Sequence, residues 1–258
     1  MTATSHIHVR PVYLAGPGDR ADITTPMLRH GWAQEDGLPH PSLRAPGDRA
    51  SLRQNPEGDW SLACHSPVDG SPAWSVSFTA QTPSEAVAAS AVATAQFLSG
   101  ADHRHLRELG SPDAVAARAG WLSVNWSGRP ATWRSPDRAA RLVYTPSHLT
   151  QGARWSVSVN AGQQGEAGWR ADFTSGAPAW VINAALEAAS ADRPVTRHVD
   201  GLPRATLLQL TTPTAARQPE DRRSAAGLRY IRPVRLNQAA ATTTGPAPDT
   251  TGPSRSRR

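Results

Sequence analysis

Two aspartates of this chain stand at related places just after a proline, Asp48 in Ala45-Pro46-Gly47-Asp48 and Asp137 in Ser135-Pro136-Asp137. Paired carboxylates are the equipment of general acid–base catalysis when their surroundings hold one protonated and the other ionised. That chemistry needs both groups in one cleft, and related positions of a repeat usually lie apart. An aspartate between a proline and a strand also bonds its own backbone in an Asx turn, and that reading is preferred. The His6/His8 and His103/His105 pairs have the spacing that puts two imidazoles on one face of a strand. Neither has the cysteine or carboxylate company that would complete a metal shell. Cys64, the single cysteine, alternates in phase with Trp60 and Leu62. It is expected to point inward, where a thiol is inert unless something lowers its pKa. Gly16-Pro17-Gly18-Asp19 lacks the G-x-G-x-x-G spacing, and Pro17 removes an N–H that would have faced a phosphate. No G-x-S-x-G nucleophile motif is present. The expectation is a chain with no catalytic residues, no metal and no cofactor.

Binding chemistry is better represented. All 27 basic residues are arginine, since the sequence contains no lysine. Residues 197–258 hold 11 arginines against 4 acids, whereas residues 1–196 hold 16 against 17. The absence of lysine beside so much Ala, Arg, Pro and Gly is explained most simply by a GC-rich genome. Arg217, Arg222, Arg223, Arg229, Arg232, Arg235, Arg255, Arg257 and Arg258 are the candidates for contacting nucleic acid or an acidic protein. If about six neutralised phosphates, affinity would fall steeply with salt through counterion release. The alternative is a solubilising tail. Tryptophans can serve as stacking platforms for single-stranded nucleic acid, but Trp60, Trp74, Trp155 and Trp169 share a face with aliphatic residues and are expected in a core. Trp126, Trp133 and Trp180 have no tryptophan counterpart and are the candidate interface markers.

These residues are positioned by an internal repeat, the first thing to look for in such a chain. With Trp60 over Trp155, Ser61, Gly70, Trp74, Phe78, Thr79 and Pro83 meet Ser156, Gly165, Trp169, Phe173, Thr174 and Pro178 without a gap. Upstream the offset shortens, and Gly31-Trp32 meets Gly120-Trp121. Leu43-Arg44-Ala45-Pro46 there resembles Trp133-Arg134-Ser135-Pro136. Across a gap at Gly47, Asp48-Arg49-Ala50 recurs as Asp137-Arg138-Ala139, and Leu52 meets Leu142. A change of offset between blocks is what an insertion in a surface loop produces.

Within each copy, period two marks half-buried antiparallel strands. Trp60, Leu62 and Cys64 alternate with Ser61, Ala63 and His65, and Trp74, Val76 and Phe78 with Ser75, Ser77 and Thr79; Trp155, Val157 and Val159 alternate with Ser156, Ser158 and Asn160, and Trp169, Ala171 and Phe173 with Arg170, Asp172 and Thr174. Equal turn-rich segments separate the strands of each pair, so Trp60 should oppose Phe78 and Cys64 oppose Trp74. Trp155 should likewise oppose Phe173, and Val159 Trp169. A one-residue slip would expose all of these side chains. Thr82-Pro83-Ser84-Glu85 has capping-box spacing with Pro83 at the first helical position, and Val87, Ala91, Ala95 and Leu98 form a stripe after it. Pro178 opens the second such helix, with Val181, Ile182, Ala185, Leu186 and Ala189 on one side. Earlier strands are expected at 42–45 and 50–54, and at 131–134 and 139–145, with short helices before each Gly-Trp at 23–29 and 113–118. Extra strands are expected at 205–210 and 227–236.

Hydrophobic content of 38% with 9 Trp suffices for a core, while 23 Pro and 20 Gly imply many turns. The single cysteine excludes an internal disulfide framework and suits a reducing compartment. The N-terminus lacks the apolar run of a signal peptide, and no apolar stretch approaches the roughly 20 residues that span a bilayer. A cytoplasmic protein without a membrane partner is expected.

Ser135-Pro136-Asp137 followed by Arg138, after an upstream Gly-Trp and before a Trp strand and a Trp-x-x-x-Phe strand, resembles the SPDY-motif domain. The opening Tyr13-Leu14-Ala15-Gly16-Pro17-Gly18-Asp19 is also similar to the start of that family, where a glycine usually stands at Pro17. The likeness covers about residues 8–192 in two copies. The first copy departs with Ala45-Pro46-Gly47-Asp48 in place of Ser-Pro-Asp, and the second has Arg138 where the family name has tyrosine. The resemblance implies an actinobacterial domain of unknown function that often occurs in pairs, and it supplies no catalytic residues.

The expected organisation is α+β. Each repeat is a four-stranded antiparallel meander, with a short preceding helix and a longer C-terminal helix packed on one face. Boundaries are set at 8–99 for the first module, 100–111 for the linker, 112–192 for the second module and 193–258 for a basic, mostly disordered tail. The leading functional expectation is a non-enzymatic binding module whose tail contacts nucleic acid. The alternatives are a protein–protein module that uses its sheet edges, and a small enzyme with a site between the modules.

Overall fold

The computed structural model describes residues 6–100, 108, 110–124, 130–149, 154–160 and 167–202. After β1 (His6–Val9), the first copy runs α1 (Arg20–Arg29), β2 (Ala33–Gln34), β3 (Ser42–Arg44), β4 (Ala50–Gln54), β5 (Trp60–His65), β6 (Pro72–Phe78) and α2 (Ser84–Leu98). The second runs α3 (Pro112–Arg118), β7 (Leu122–Ser123), β8 (Ala131–Arg134), β9 (Ala140–Thr145), β10 (Arg154–Asn160), β11 (Ala167–Phe173) and α4 (Ala179–Ser190), with β12 (Val195–His198) after it.

The Gly-Trp pairs are helix stops. Gly31 and Gly120 both sit at φ +77°, a left-handed conformation that costs glycine little. The Trp32 and Trp121 N–H groups reach back to the carbonyls of Met27 and Ala116, at 3.1 and 2.9 Å. With the Gly31→Leu28 and Gly120→Ala117 bonds, each 3.0 Å, this is a Schellman ending that satisfies carbonyls the helix would leave orphaned. The stop turns each indole into the interior, where Trp32 and Trp121 are buried. At its other end α1 is capped by Asp19, which accepts from the Ala21 N–H, while Asp22 accepts from the Asp19 N–H. Gly18 is required there, because a Cβ would lie 2.1 Å from Ser84 Oγ at the start of α2.

All ten strands from β2 to β11 form one antiparallel sheet in the order β2-β3-β4-β5-β6-β11-β10-β9-β8-β7. Trp60 opposes Phe78, Cys64 Trp74, Trp155 Phe173 and Val159 Trp169, the register that the alternation dictates. One face carries the core residues of β3 to β6 and β8 to β11 and receives the buried sides of α1 to α4 in a single continuous core. Across the junction α2 and α4 pack through small side chains, among them Ser90, Ala91, Thr94 and Ala185. The Ser90 hydroxyl donates to the Val181 carbonyl at 3.4 Å. A separate two-stranded sheet pairs β1 with β12.

Four expectations are corrected. The meander of each copy has five strands, because the chain after Gly-Trp adds the two-residue edge strands β2 and β7, too short to show a period. The α2 capping box does not form: Pro83 takes the N-cap without a side-chain bond. Glu85 is drawn to Arg197 instead, and Thr82 Oγ1 faces the Arg170 carbonyl at 3.4 Å. Residues 193–202 belong to the fold rather than to a disordered tail, for β12 pairs with β1 and Arg197 is buried. Trp155 is only half-buried, tilted against Tyr144 and Trp133 with ring centroids 4.8 and 5.7 Å away.

Candidate functional site: the open sheet face

Strand geometry sends alternate side chains to opposite faces, so the register that buries the tryptophans also fixes what the other face displays. One row across the sheet reads Thr132, Val143, Ser156, Asp172, Ser77, Ser61, Arg53 and Ser42, each opposite the next. Beside it runs Leu122, Arg134, Arg141, Ser158 and Arg170 in the second copy, and Ala33, Arg44, Ser51, Ala63 and Ser75 in the first. These outward rows carry hydroxyls and arginines, with Val143, Leu122, Ala33, Ala63 and Asp172 among them and no Trp, Tyr or Phe, and Arg53, Arg134, Arg141, Arg154 and Arg170 are exposed.

The arginines differ in their company. Arg44 hydrogen-bonds Glu35 and lies 3.4 Å from Asp48, and Arg53 is 3.9 Å from Glu35. Hydrogen bonds from Ser42 and Arg44 hold the Glu35 carboxyl below its ordinary range. Arg170 pairs with Asp172 at 2.6 Å. Arg141 donates through Nε to Ser158 Oγ at 2.9 Å. Arg134 stands directly opposite Arg141 on the neighbouring strand, and neither has a carboxylate partner among the described residues. Like charges in such a pair are unfavourable. Folding alone does not call for this arrangement, and a bound anion would relieve it.

The other constellations have structural partners. Asp137 accepts from Tyr13 OH (2.8 Å), Ser135 Oγ (2.5 Å) and the Ala139 N–H (3.0 Å). Tyr13 meets Trp121 edge to face, and its carbonyl accepts from Trp169 Nε1 at 2.7 Å. Burial first, and the Asp137 carboxylate second, push the Tyr13 phenol above its ordinary range. Asp48 and Asp137 are not counterparts. The bonds Asp48 N–H to Ala45 and Arg138 N–H to Ser135, with φ of +55° and +64°, make Asp48 equivalent to Arg138 and Gly47 to Asp137. The gap that matched the two aspartates in sequence does not exist in the fold. Cys64 is buried in the core, and burial raises its thiol pKa. On β1, His6 lies edge to face against His198, and His8 Nδ1 is 3.2 Å from Thr196 Oγ1.

Of the candidate interface tryptophans, Trp180 is half-buried between the copies, stacked on Phe97 at 5.0 Å and edge-on to Trp74. Trp133 is half-buried against Trp155. Neither is a free surface ring. Trp126, the His103/His105 pair, the expected strands at 205–210 and 227–236, and the arginines from Arg217 to Arg258 all lie outside the described residues. On the helical side, α1, α2, α4 and β12 border an open groove of about 700 Å³ that includes Asp22, Arg29, Glu85, Arg193 and Arg197. Arg197 is paired there with Glu85, and Asp22 accepts from the Ser84 hydroxyl at 3.3 Å. No helix of the described residues is long and apolar enough to cross a membrane.

The outward arginines were missed in the sequence, although the alternation that placed Trp155 and Trp169 inward also placed Arg154 and Arg170 outward. Adding up charge over the outward positions of all strands would have found them.

A family model described as SPDY, a domain of unknown function (DUF317), matches residues 29–96 and 134–195, together about half of the chain. The first segment runs from the last residue of α1 into α2, and the second from the end of β8 to the first residue of β12. No curated protein matches, and no solved structure does. Two matched segments, each ending in or after the long helix that closes a copy, place the chain in the SPDY family, whose domain of unknown function it carries twice.

Proposed function

We propose that this chain is a non-enzymatic binding protein that receives nucleic acid on the open face of its ten-stranded sheet, with the Arg-rich tail adding electrostatic affinity. The observation that carries the reading is the unbalanced pair Arg134 and Arg141 on a face that also carries serine and threonine hydroxyls. Arginine and small hydroxyl side chains are the usual donors to phosphate oxygens, and β-sheet surfaces are among the elements that dock on duplexes. Edge pairing with another protein is less favoured, since β2 and β7 are two residues long and short edge strands resist strand addition. Against a small enzyme between the modules stand the β6–β11 pairing and the α2–α4 packing that fill the junction, together with the engagement of Arg197, Glu85 and Asp22 in the groove.

Fluorescence anisotropy of a labelled mixed-sequence duplex, titrated with the full chain across a salt series, tests this. If about six phosphates are contacted, affinity drops by roughly a thousandfold between 50 and 200 mM salt. No binding at the lowest salt would remove the reading.

A further inference from the structure

We infer that the open face is electrically polarised between the copies, and that the phosphates of a nucleic-acid duplex anchor on the second copy's half. This rests on the nucleic-acid reading above and names the part of the face that does the work.

The two copies can be compared position by position because their backbone bonds correspond. Glu35 N–H donates to the Ser42 carbonyl at 2.8 Å, and Val124 N–H to the Thr132 carbonyl at 2.7 Å. The acid that ties Arg44 and Arg53 in the first copy is therefore a valine in the second. Arg44 faces Ala33 and Ser51 across the strands, and Arg134 faces Leu122 and Arg141. Where the first copy has Ser51, the second has arginine. The residue before Trp60 is Asp59, which accepts from the Ala80 N–H at 2.7 Å, whereas the residue before Trp155 is Arg154. Ser75 and Arg170 accept equivalent bonds, from Thr174 N–H and Thr79 N–H. At these positions the first half sets two arginines against two carboxylates, and the second sets four arginines against Asp172 alone. Arg53 to Val143 and Ser77 to Asp172 run the other way, but the balance still moves from 0 (two arginines less two carboxylates) to +3 (four arginines less one).

Arg134, Arg141 and Arg170 sit on the first, second and fourth of four adjacent strands, so they span about 14 Å at the usual strand spacing. A duplex presents about one phosphate charge per 1.7 Å of axis, twice the density of one strand. Single strands usually gain affinity from bases stacked on aromatic rings, and the outward rows hold no Trp, Tyr or Phe. The occupant that fits is a duplex held by its backbone, with little dependence on sequence.

Three variants of the full chain test this by anisotropy against a labelled duplex and the matching single strand. Arg134→Ser with Arg141→Ser should weaken duplex binding about tenfold or more and lower the salt slope by about two. Arg44→Ser with Arg53→Ser should change affinity less than about twofold, since Glu35 lies beside both and already offsets part of their charge. Glu35→Val should strengthen binding by freeing them, a gain that misfolding cannot imitate. Thermal melting of the Arg134/Arg141 variant should match or exceed the parent, because a like-charge pair is relieved. If the parent chain binds no duplex, the broader reading fails. If the parent binds but the first-copy variant loses as much as the second-copy one, or the single strand binds as tightly as the duplex, the inference fails alone.

Discussion

Thr79 and Thr174 hold the two copies together by the same pair of bonds made in opposite directions. Thr79 N–H donates to the Arg170 carbonyl at 2.9 Å while its hydroxyl oxygen accepts from the Arg170 N–H at 2.8 Å. Thr174 N–H donates to the Ser75 carbonyl at 3.0 Å while its hydroxyl oxygen accepts from the Ser75 N–H at 2.9 Å. Between them Ser77 opposes Asp172, its own counterpart in the other copy. The junction is thus a local twofold axis, and Phe78 meets Phe173 across it edge to face at 6.3 Å.

Replacing either threonine by valine keeps the shape and deletes an acceptor at the end of the central ladder. Each substitution should cost about 1 kcal/mol in chemical denaturation, with near-equal values for the two sites because their partners are equivalent. A neutral result at one site and a loss at the other would break the twofold description.

Gly176 presses on the same junction. A Cβ there would lie 2.6 Å from the Ala73 carbonyl oxygen, a backbone atom that cannot rotate aside. Gly176→Ala should destabilise by about 1–3 kcal/mol through forced separation of the strands. Gly37, with open space around it, serves as the control for its surroundings, although its φ of +78° adds a smaller backbone cost of its own.

Arg197 and Glu85 form an ion pair with both side chains largely shielded, tying β12 to the start of α2. Removing one partner strands the other in a poorly solvated site. Arg197→Met should therefore cost about 3 kcal/mol or more, and Arg197→Met with Glu85→Gln distinctly less. Equal losses for the single and the double variant, measured by urea unfolding, would show that the charges do not interact there.

Tyr13 donates to Asp137, and its phenol titrates above the ordinary value of 10.0. A group whose folded pKa is raised gives stability that is complete below its unfolded pKa and is lost as pH climbs towards the folded one. Unfolding free energy should begin to fall as pH passes about 10, and Tyr13→Phe should flatten that decline while lowering neutral-pH stability by about 1 kcal/mol. A variant whose alkaline limb is as steep as the parent's would assign the decline to another group.

The parts of the fold that were legible in the sequence are those with a period or a stop. The Trp60–Phe78 and Val159–Trp169 register followed from strict alternation, and Gly31-Trp32 marked a helix end because only glycine enters the required turn cheaply. The edge strands β2 and β7 were not legible, since two residues cannot alternate. The Thr82–Glu85 capping box had the right spacing and still failed, because Glu85 has a stronger partner in Arg197, more than a hundred residues away. Asp48 and Asp137 were matched by letter, although the turn is aligned by its left-handed positions at Asp48 and Arg138. The arginine face escaped notice for a similar reason. Its members come from separate strands, and only the register brings Arg134 beside Arg141.

The most direct test of the account follows the arginine side chains themselves. Arg Nε–Hε resonances of the full chain are recorded while an unlabelled duplex is added at low salt. Signals of Arg134, Arg141 and Arg154 should shift in proportion to bound duplex, with those of Arg29 and Arg193 on the helical side unmoved. Shifts gathered on Arg29 and Arg193 while the three strand arginines stay still would contradict the sheet-face account.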